Sequence, residues 1–256
     1  MTHVHPSAIV DKRATIGDNV TIGAFSIVEG DVVIGDGTSI ASHTLIADGA
    51  RIGQNCKIHK GAVVATIPQD LKFTFESSTF EIGDNTTVRE FCTLNRGTKE
   101  RGKSSVGRNC LLMAYVHVAH DCFIGNNVIL ANCVQVAGHV DIEDFVIMGG
   151  LTGIHQFVRI GQHAMVGGGL RVVKDVPPYI LAMGEPLQYG GINSVGLRRR
   201  GFTSDSLMIM KRAYRLLYRS KLNVSQAVER IKNEIEITPE IQNIIRFIEK
   251  ADRGLI

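Results

Sequence analysis

The chain has 256 residues, a net charge of +3, 27 glycines and no tryptophan, the make-up of an ordinary globular protein. So small a charge excess, without any RNA- or DNA-binding signature, argues against a nucleic-acid partner. Met1 to Val10 contains no apolar signal region and no run of 18 apolar residues occurs, so neither a signal peptide nor a transmembrane segment is expected.

A six-residue period starts almost at once. Aliphatics stand at Val10, Ile16, Ile22, Val28, Ile34, Ile40, Ile46, Ile52, Ile58 and Val64. Six fits neither the 3.6 of a helix nor the 2 of a strand, but it fits a hexapeptide β-helix, with eighteen residues to each triangular coil. The Ile-Gly pairs at 16–17, 22–23, 34–35 and 52–53 read as tight corners after the inward aliphatic. From Ala65 to Glu81 the phase is lost, because Asp70 and Glu76 fall at inward positions. An unpaired charge in the coil core would cost several kcal/mol, so 65–81 is expected to be an external loop carrying Phe73, Phe75 and Phe80. Ile82, Val88 and Leu94 resume the repeat, and a short charged loop is expected at 99–105. An unbroken run then extends from Val106 to Val172.

Five cysteines without a CxxC pair argue against a disulfide framework or a zinc knuckle. Cys56, Cys92, Cys110 and Cys122 each precede a repeat aliphatic by two, the small inward position, and read as reduced residues of a cytoplasmic protein. Cys92 and Cys110, 18 apart, could stack closely enough to bridge.

Val173 to Tyr179, with Pro177 and Pro178, is expected to end the coils, and Gly190 and Gly191 to mark an irregular connector. From Thr203 the period becomes helical, with Leu207, Met210, Tyr214 and Leu217 on one face. A second helix is predicted from Asn223 to Glu236, and a third opens at Thr238-Pro239-Glu240 and runs to about Ala251. The expected architecture is therefore mainly β: a β-helix over 1–190, then a connector and C-terminal α-helical region over 191–256.

Eighteen-residue stacking puts Val118, Val136 and Ile154 on one face. Around them gather His117, His120, His139 and His155, four of the nine histidines, with Asp121, Gly138, Gln156 and Phe157. A neutral imidazole of pKa about 6.5 can take a proton from a hydroxyl at neutral pH. Asp121 could orient that imidazole, and the Gly138 N–H is unobstructed as an oxyanion donor. The same cluster could instead hold zinc, or make hydrogen bonds at coil corners and between subunits.

Several stretches, spread end to end, carry a resemblance: Gln69-Asp70-Leu71-Lys72, His117-Val118-Ala119-His120-Asp121-Cys122, Ala137-Gly138-His139, Ile154-His155-Gln156-Phe157, Val176-Pro177-Pro178-Tyr179 and Arg198-Arg199-Arg200-Gly201-Phe202. In that order they closely resemble the bacterial acyl-[acyl-carrier-protein]–UDP-N-acetylglucosamine O-acyltransferases, which open lipid A biosynthesis. The resemblance implies a homotrimer of left-handed parallel β-helices with active sites between subunits. It implies transfer of a (R)-3-hydroxyacyl group from the phosphopantetheine of acyl carrier protein to the glucosamine 3-hydroxyl, with neither metal nor other cofactor. His120 would be the general base and the Gly138 backbone the oxyanion support. Gln69, Asp70, Lys72, His117, His139, His155 and Gln156 would contact substrate, and Asn193, Arg199 and Arg200 the uridine diphosphate. Val195 stands where some relatives carry an acid. Gly168 matches the position where a bulky residue limits acyl length; its glycine implies an open trough and a long chain.

Arg212, Arg215 and Arg219 share one helix face, a stripe that would steer an acidic carrier protein or simply face solvent. The rivals are the sister N-acyltransferase, which normally carries an extra N-terminal domain, a γ-type carbonic anhydrase, and a non-enzymatic scaffold.

Overall fold

Each six-residue unit lays down a two-residue strand whose second member points inward, as in His117–Val118, and then turns. The computed structural model, which describes residues 1–256, stacks these units into a parallel β-helix. Its three sheets hold 11, 9 and 8 strands, and neighbouring strands come from successive coils except for the antiparallel pair that ends the largest sheet. In the uninterrupted stretch Val118 pairs with Val136 and Val136 with Ile154, the eighteen-residue register expected. Inward aliphatics from Ile22 to Val172 are almost wholly buried, as are the small residues two positions before them. At about 1.5–3 kcal/mol for each buried side chain of this size, that column is the main stabilising term.

The corners differ from expectation in one respect. The left-handed residue lies three positions after the aliphatic, at Asn19, Asn55, Asp121 and His139 for example, not at the glycine directly after it. That glycine is needed for close approach instead. A Cβ on Gly35 would lie 2.7 Å from the Gly53 carbonyl carbon and 2.8 Å from the Gln54 nitrogen, both backbone atoms of the next coil.

Two excursions leave the coils; the first is shorter than expected and the second begins and ends three residues earlier. Strands Val63–Thr66 and Thr79–Ile82 flank the first, which spans 67–78 rather than 65–81. Phe80 is fully buried between Ala50 and Ser104 and is not a loop aromatic. The second spans 96–102, because Lys103–Val106 is already strand. In these longer strands the alternation of two, Phe80 with Ile82 and Ser104 with Val106, hides inside the period of six.

The excursions also change the register, so that Val64 pairs with Leu94 and Leu94 with Val118. Cys92 therefore faces the coil of Val116, while Cys110 lies between those of Thr86 and Val128, and the bridge considered between them is not formed. All five cysteines are free. Burial pushes the Cys92 and Cys110 thiols up to about 11 and Cys122 to about 12, so these are inert core residues.

The coils do not end at Val172. Val176 bridges Ile160, and Ile180–Met183 continues the sheet beside Met165–Val166. Pro177 and Pro178 sit between those two pairings, where no ladder N–H is required. Gly190 and Gly191 lie in a strand, Gln188–Ile192, which pairs antiparallel with Ile180–Met183 and covers the last edge of that sheet.

Four helices follow: α1 (Ser194–Arg199), which the sequence pattern did not reveal, α2 (Ser204–Arg219), α3 (Val224–Glu234) and α4 (Pro239–Glu249). Asn193, Thr203, Asn223 and Thr238 cap their N-termini. Leu207, Met210, Tyr214 and Leu217 are the buried face of α2. The buried Tyr214 hydroxyl donates to the Pro178 carbonyl, and Asn243 of α4 donates to Gln162 and to the Tyr179 hydroxyl, so the helices are fastened to the last coils. No helix is long and apolar enough to cross a membrane.

Replacing Gly35 by alanine offers a test of the close-approach argument. Gly→Ala at an unstrained, roomy site stabilises by about 0.4–1 kcal/mol. Here it should destabilise by about 1–3 kcal/mol, the usual cost of overpacking, read as a lower midpoint in chemical denaturation.

Candidate active site

The histidine face forms where the strands containing Val118, Val136 and Ile154 lie side by side. His120 and Asp121 occupy the corner after Val118, and Asp121 is left-handed. That conformation turns its carboxylate back beneath the preceding ring, where Oδ2 lies 2.8 Å from His120 Nδ1. Asp121 is fully buried, whereas His120 keeps 14 % of its side chain exposed. Burial pushes the Asp121 carboxyl up. Hydrogen bonds from His120 and Thr98 outweigh it, and the pKa falls below the usual carboxylate range. The ionised carboxylate accepts from Nδ1, which fixes the proton there and leaves Nε2 as an acceptor.

Gly138 lies one coil further on. A Cβ there would stand 2.8 Å from both Nε2 and Cε1 of His120, so any other residue would cover the free nitrogen. Its N–H donates to no other group of the chain. At another corner of the coil the equivalent N–H groups are closed: Asp36 caps Asp18, Asp84 caps Gln54 and Asp144 caps Asn126. The site therefore holds a proton acceptor and an open backbone donor side by side.

His139 is nearly buried. Its ring meets His120 edge-on at 5.1 Å and stacks on Phe157 at 4.6 Å, with Nε2 3.8 Å from Asp121 Oδ2. His117 pairs through Nδ1 with the Thr93 hydroxyl at 2.8 Å. With His155 it lines a groove of about 390 Å³ that also includes Gln135, Gly153 and Arg171. Gln156 is exposed beside it.

His120, Asp121 and His139 could in principle hold a metal, since their ligand atoms lie within 4.8 Å of one another. Asp121 is already committed, however. Oδ1 accepts from the backbone N–H groups of Thr98 and Arg101, and Oδ2 from the Thr98 hydroxyl and His120. The donor set fits an orienting carboxylate better than a metal ligand.

A model of UDP N-acetylglucosamine O-acyltransferase, domain 2, matches residues 175–256, and one of the bacterial transferase hexapeptide (six repeats) matches 13–48 and 103–138. The acyl-[acyl-carrier-protein]–UDP-N-acetylglucosamine O-acyltransferase of Thiobacillus denitrificans is 45% identical over 257 residues, covering 100% of both chains. The chain belongs to this O-acyltransferase family. Crystal structures agree: the UDP-N-acetylglucosamine acyltransferase of Bacteroides fragilis superimposes with a TM-score of 0.97 at 46% identity, covering 98% of this chain and 99% of that one. The Acinetobacter baumannii enzyme gives 0.96 at 42% identity, covering 99% of each.

The other residues that O-acyltransferase motifs singled out make no hydrogen bond or ion pair with these histidines. Gln69, Asp70 and Lys72 stand in the 67–78 excursion, Gln69 and Lys72 exposed, with Asp70 accepting from the Lys72 N–H. Asn193 is buried as the cap of α1; its amide donates to the His163 carbonyl and its oxygen accepts from Gly196. Arg199 is exposed, and Arg200 lies over the Phe145 ring at 5.2 Å with Nη1 buried and unpartnered. Gly168 lies exposed on a different sheet face, where a Cβ would meet the Gly150 carbonyl oxygen at 3.0 Å.

Sequence reading missed Thr98 and Arg101, which hold Asp121 from the second excursion. Arg101 also pairs with Asp141 at 2.6 Å and covers Phe123. Replacing Thr98 by valine keeps its backbone N–H but removes the hydroxyl, leaving the buried carboxylate short of one donor, and should cost about 1–3 kcal/mol, measured by denaturation at pH 7. A lowered carboxylate pKa stabilises above the ordinary value of 3.8 and ceases to do so as pH falls through the folded one. The difference between wild type and variant should therefore shrink in strong acid.

Proposed function

We propose that the chain transfers a (R)-3-hydroxyacyl group from acyl carrier protein to the 3-hydroxyl of UDP-N-acetylglucosamine, the opening step of lipid A biosynthesis. The observation that carries this is the buried Asp121 carboxylate holding His120 beside the open Gly138 N–H, in a chain that matches the O-acyltransferases from end to end. His120 Nε2 removes the proton of the sugar hydroxyl, and the oxygen attacks the thioester carbonyl. The Gly138 N–H supports the resulting oxyanion. Collapse breaks the carbon–sulfur bond, and the imidazolium returns its proton to the leaving phosphopantetheine thiolate. His139 walls the site and shields Asp121.

The active unit is a homotrimer with sites shared between subunits. Supporting this, Gln69, Asp70 and Lys72 make no hydrogen bond or ion pair with the histidines of their own chain and stand on a loop where Leu71 and Phe75 are strongly exposed. Such a tip suits burial against a neighbouring copy. The unpartnered, buried Arg200 Nη1 suits a diphosphate oxygen, and the exposed Arg212, Arg215 and Arg219 on α2 suit an acidic carrier protein.

His120→Ala trimers should lose the roughly 10²–10⁴-fold supplied by a general base, and Lys72→Ala trimers should also be weakened. Trimers assembled from both kinds of chain should regain activity with UDP-N-acetylglucosamine and acyl carrier protein. Full activity in His120→Ala overturns the base assignment, and no recovery in verified mixed trimers overturns the shared site.

Acyl length is set on another face. Ala131, Gly149 and Gly167, with Asn132, Gly150 and Gly168, leave a trough almost free of side chains. Each extra methylene buried there contributes about 0.8 kcal/mol. Gly168→Met should move the optimum donor to a chain several carbons shorter, measured across a panel of acyl-carrier proteins; an unchanged preference rules Gly168 out as the length-setting residue.

A further inference from the structure

The segment after α4 returns to the histidine face. Lys250 is held at its carbonyl by Arg159 at 2.9 Å. Further on, Asp175 donates its N–H to the Gly254 carbonyl and accepts from the Ile256 N–H, making a parallel bridge with Leu255. Pinned on both sides, Arg253 reaches His155, its Nη2 lying 3.1 Å from the ring Nδ1.

The same Nδ1 lies 3.1 Å from the carbonyl oxygen of Gln156. The two contacts require opposite protonation states. A carbonyl only accepts, so it needs a proton on Nδ1. A guanidinium only donates, so it needs a lone pair there. One ring nitrogen cannot satisfy both, and the partner that wins decides which nitrogen of His155 carries the proton.

We propose that Arg253 is a positioning residue for His155: its guanidinium holds Nδ1 as an acceptor, so that Nε2 carries the proton and the ring donates to an oxygen of the bound nucleotide sugar. This rests on the reading of His155 as a substrate group. His155 and His120 are then set in opposite senses on one face. Asp121 puts the His120 proton on Nδ1, making its outer nitrogen an acceptor for a hydroxyl. Arg253 empties Nδ1 of His155, making its other nitrogen a donor. A base and a donor are what an acceptor sugar needs: one group to take its proton, another to hold it in place.

Nitrogen-15 NMR of the histidine rings in the full chain reads the tautomer directly. His155 should be Nε2-protonated in the wild type and shift toward Nδ1-protonated in Arg253→Ala, where the Gln156 carbonyl is the remaining partner. Arg253→Lys, which restores a donor, should recover the wild-type form at least in part. KM for UDP-N-acetylglucosamine should rise about tenfold in Arg253→Ala, the upper value of one neutral hydrogen bond, with kcat within about twofold of normal. An unchanged tautomer in Arg253→Ala overturns the proposal. A shifted tautomer with unchanged KM shows that substrate does not depend on the His155 donor, which overturns both the positioning role and the reading of His155 on which it rests.

Discussion

The parallel ladder between successive coils is the constraint on which everything else in this protein depends. His117 donates to Val134 and Ala119 to Val136, and the same pairing repeats from coil to coil. Because each inward aliphatic must sit over the next, an eighteen-residue register is enforced by burial as well as by hydrogen bonds. Corners are thereby forced into columns. A glycine such as Gly35 is then required not by its own dihedral angles but by the backbone of the coil beside it.

Columns make chemistry possible where the usual corner contacts are omitted. On one edge of the prism, carboxylates and amides close the N–H groups of the preceding coil, and those corners are inert. On the histidine edge the Gly138 N–H is left open, and the residue after His120 is a left-handed aspartate rather than the asparagine found at Asn19 or Asn127. Asparagine would be neutral and could also donate. Only the carboxylate, kept ionised in burial by Thr98 and His120, gives the imidazole a defined proton position. The candidate site is a local departure from a repeating structure, held by the same repeat that it interrupts.

What could be read in advance follows from the distance over which each feature is encoded. The coils, the inward cysteines and the adjacency of His120, Gly138 and His139 follow from counting, since eighteen residues return the chain to the same face. Phe80 was misplaced because its four-residue strand alternates by two within a pattern of six. The Cys92–Cys110 juxtaposition failed because the 96–102 excursion shifts the pairing at that coil. Thr98, Arg101 and Arg253 were invisible for a related reason. Their contacts lie outside the repeat, and no periodicity relates position 253 to position 155.

The two excursions, which looked like independent breaks, act as one device. Glu76 of the first accepts from the Thr74 N–H and hydroxyl, and from the Lys99 N–H of the second. Its own backbone N–H together with Lys99 and Thr74 lowers the carboxyl to about 2, so the acceptor is ionised at neutral pH. Arg96, at the start of the second excursion, lies over Phe73 of the first at 5.7 Å. The second excursion also delivers Thr98 and Arg101 to Asp121. The loop that carries Gln69, Asp70 and Lys72 is thus braced against the excursion that holds Asp121 beside His120. An insertion that merely added surface would need no such ties, since long loops cost little in closure entropy and can be left slack. Here the ties fix where the loop tip, with Leu71 fully exposed, projects from the coil. Under the shared-site proposal, the histidine face of another copy is the surface that this fixed, outward-projecting tip would meet.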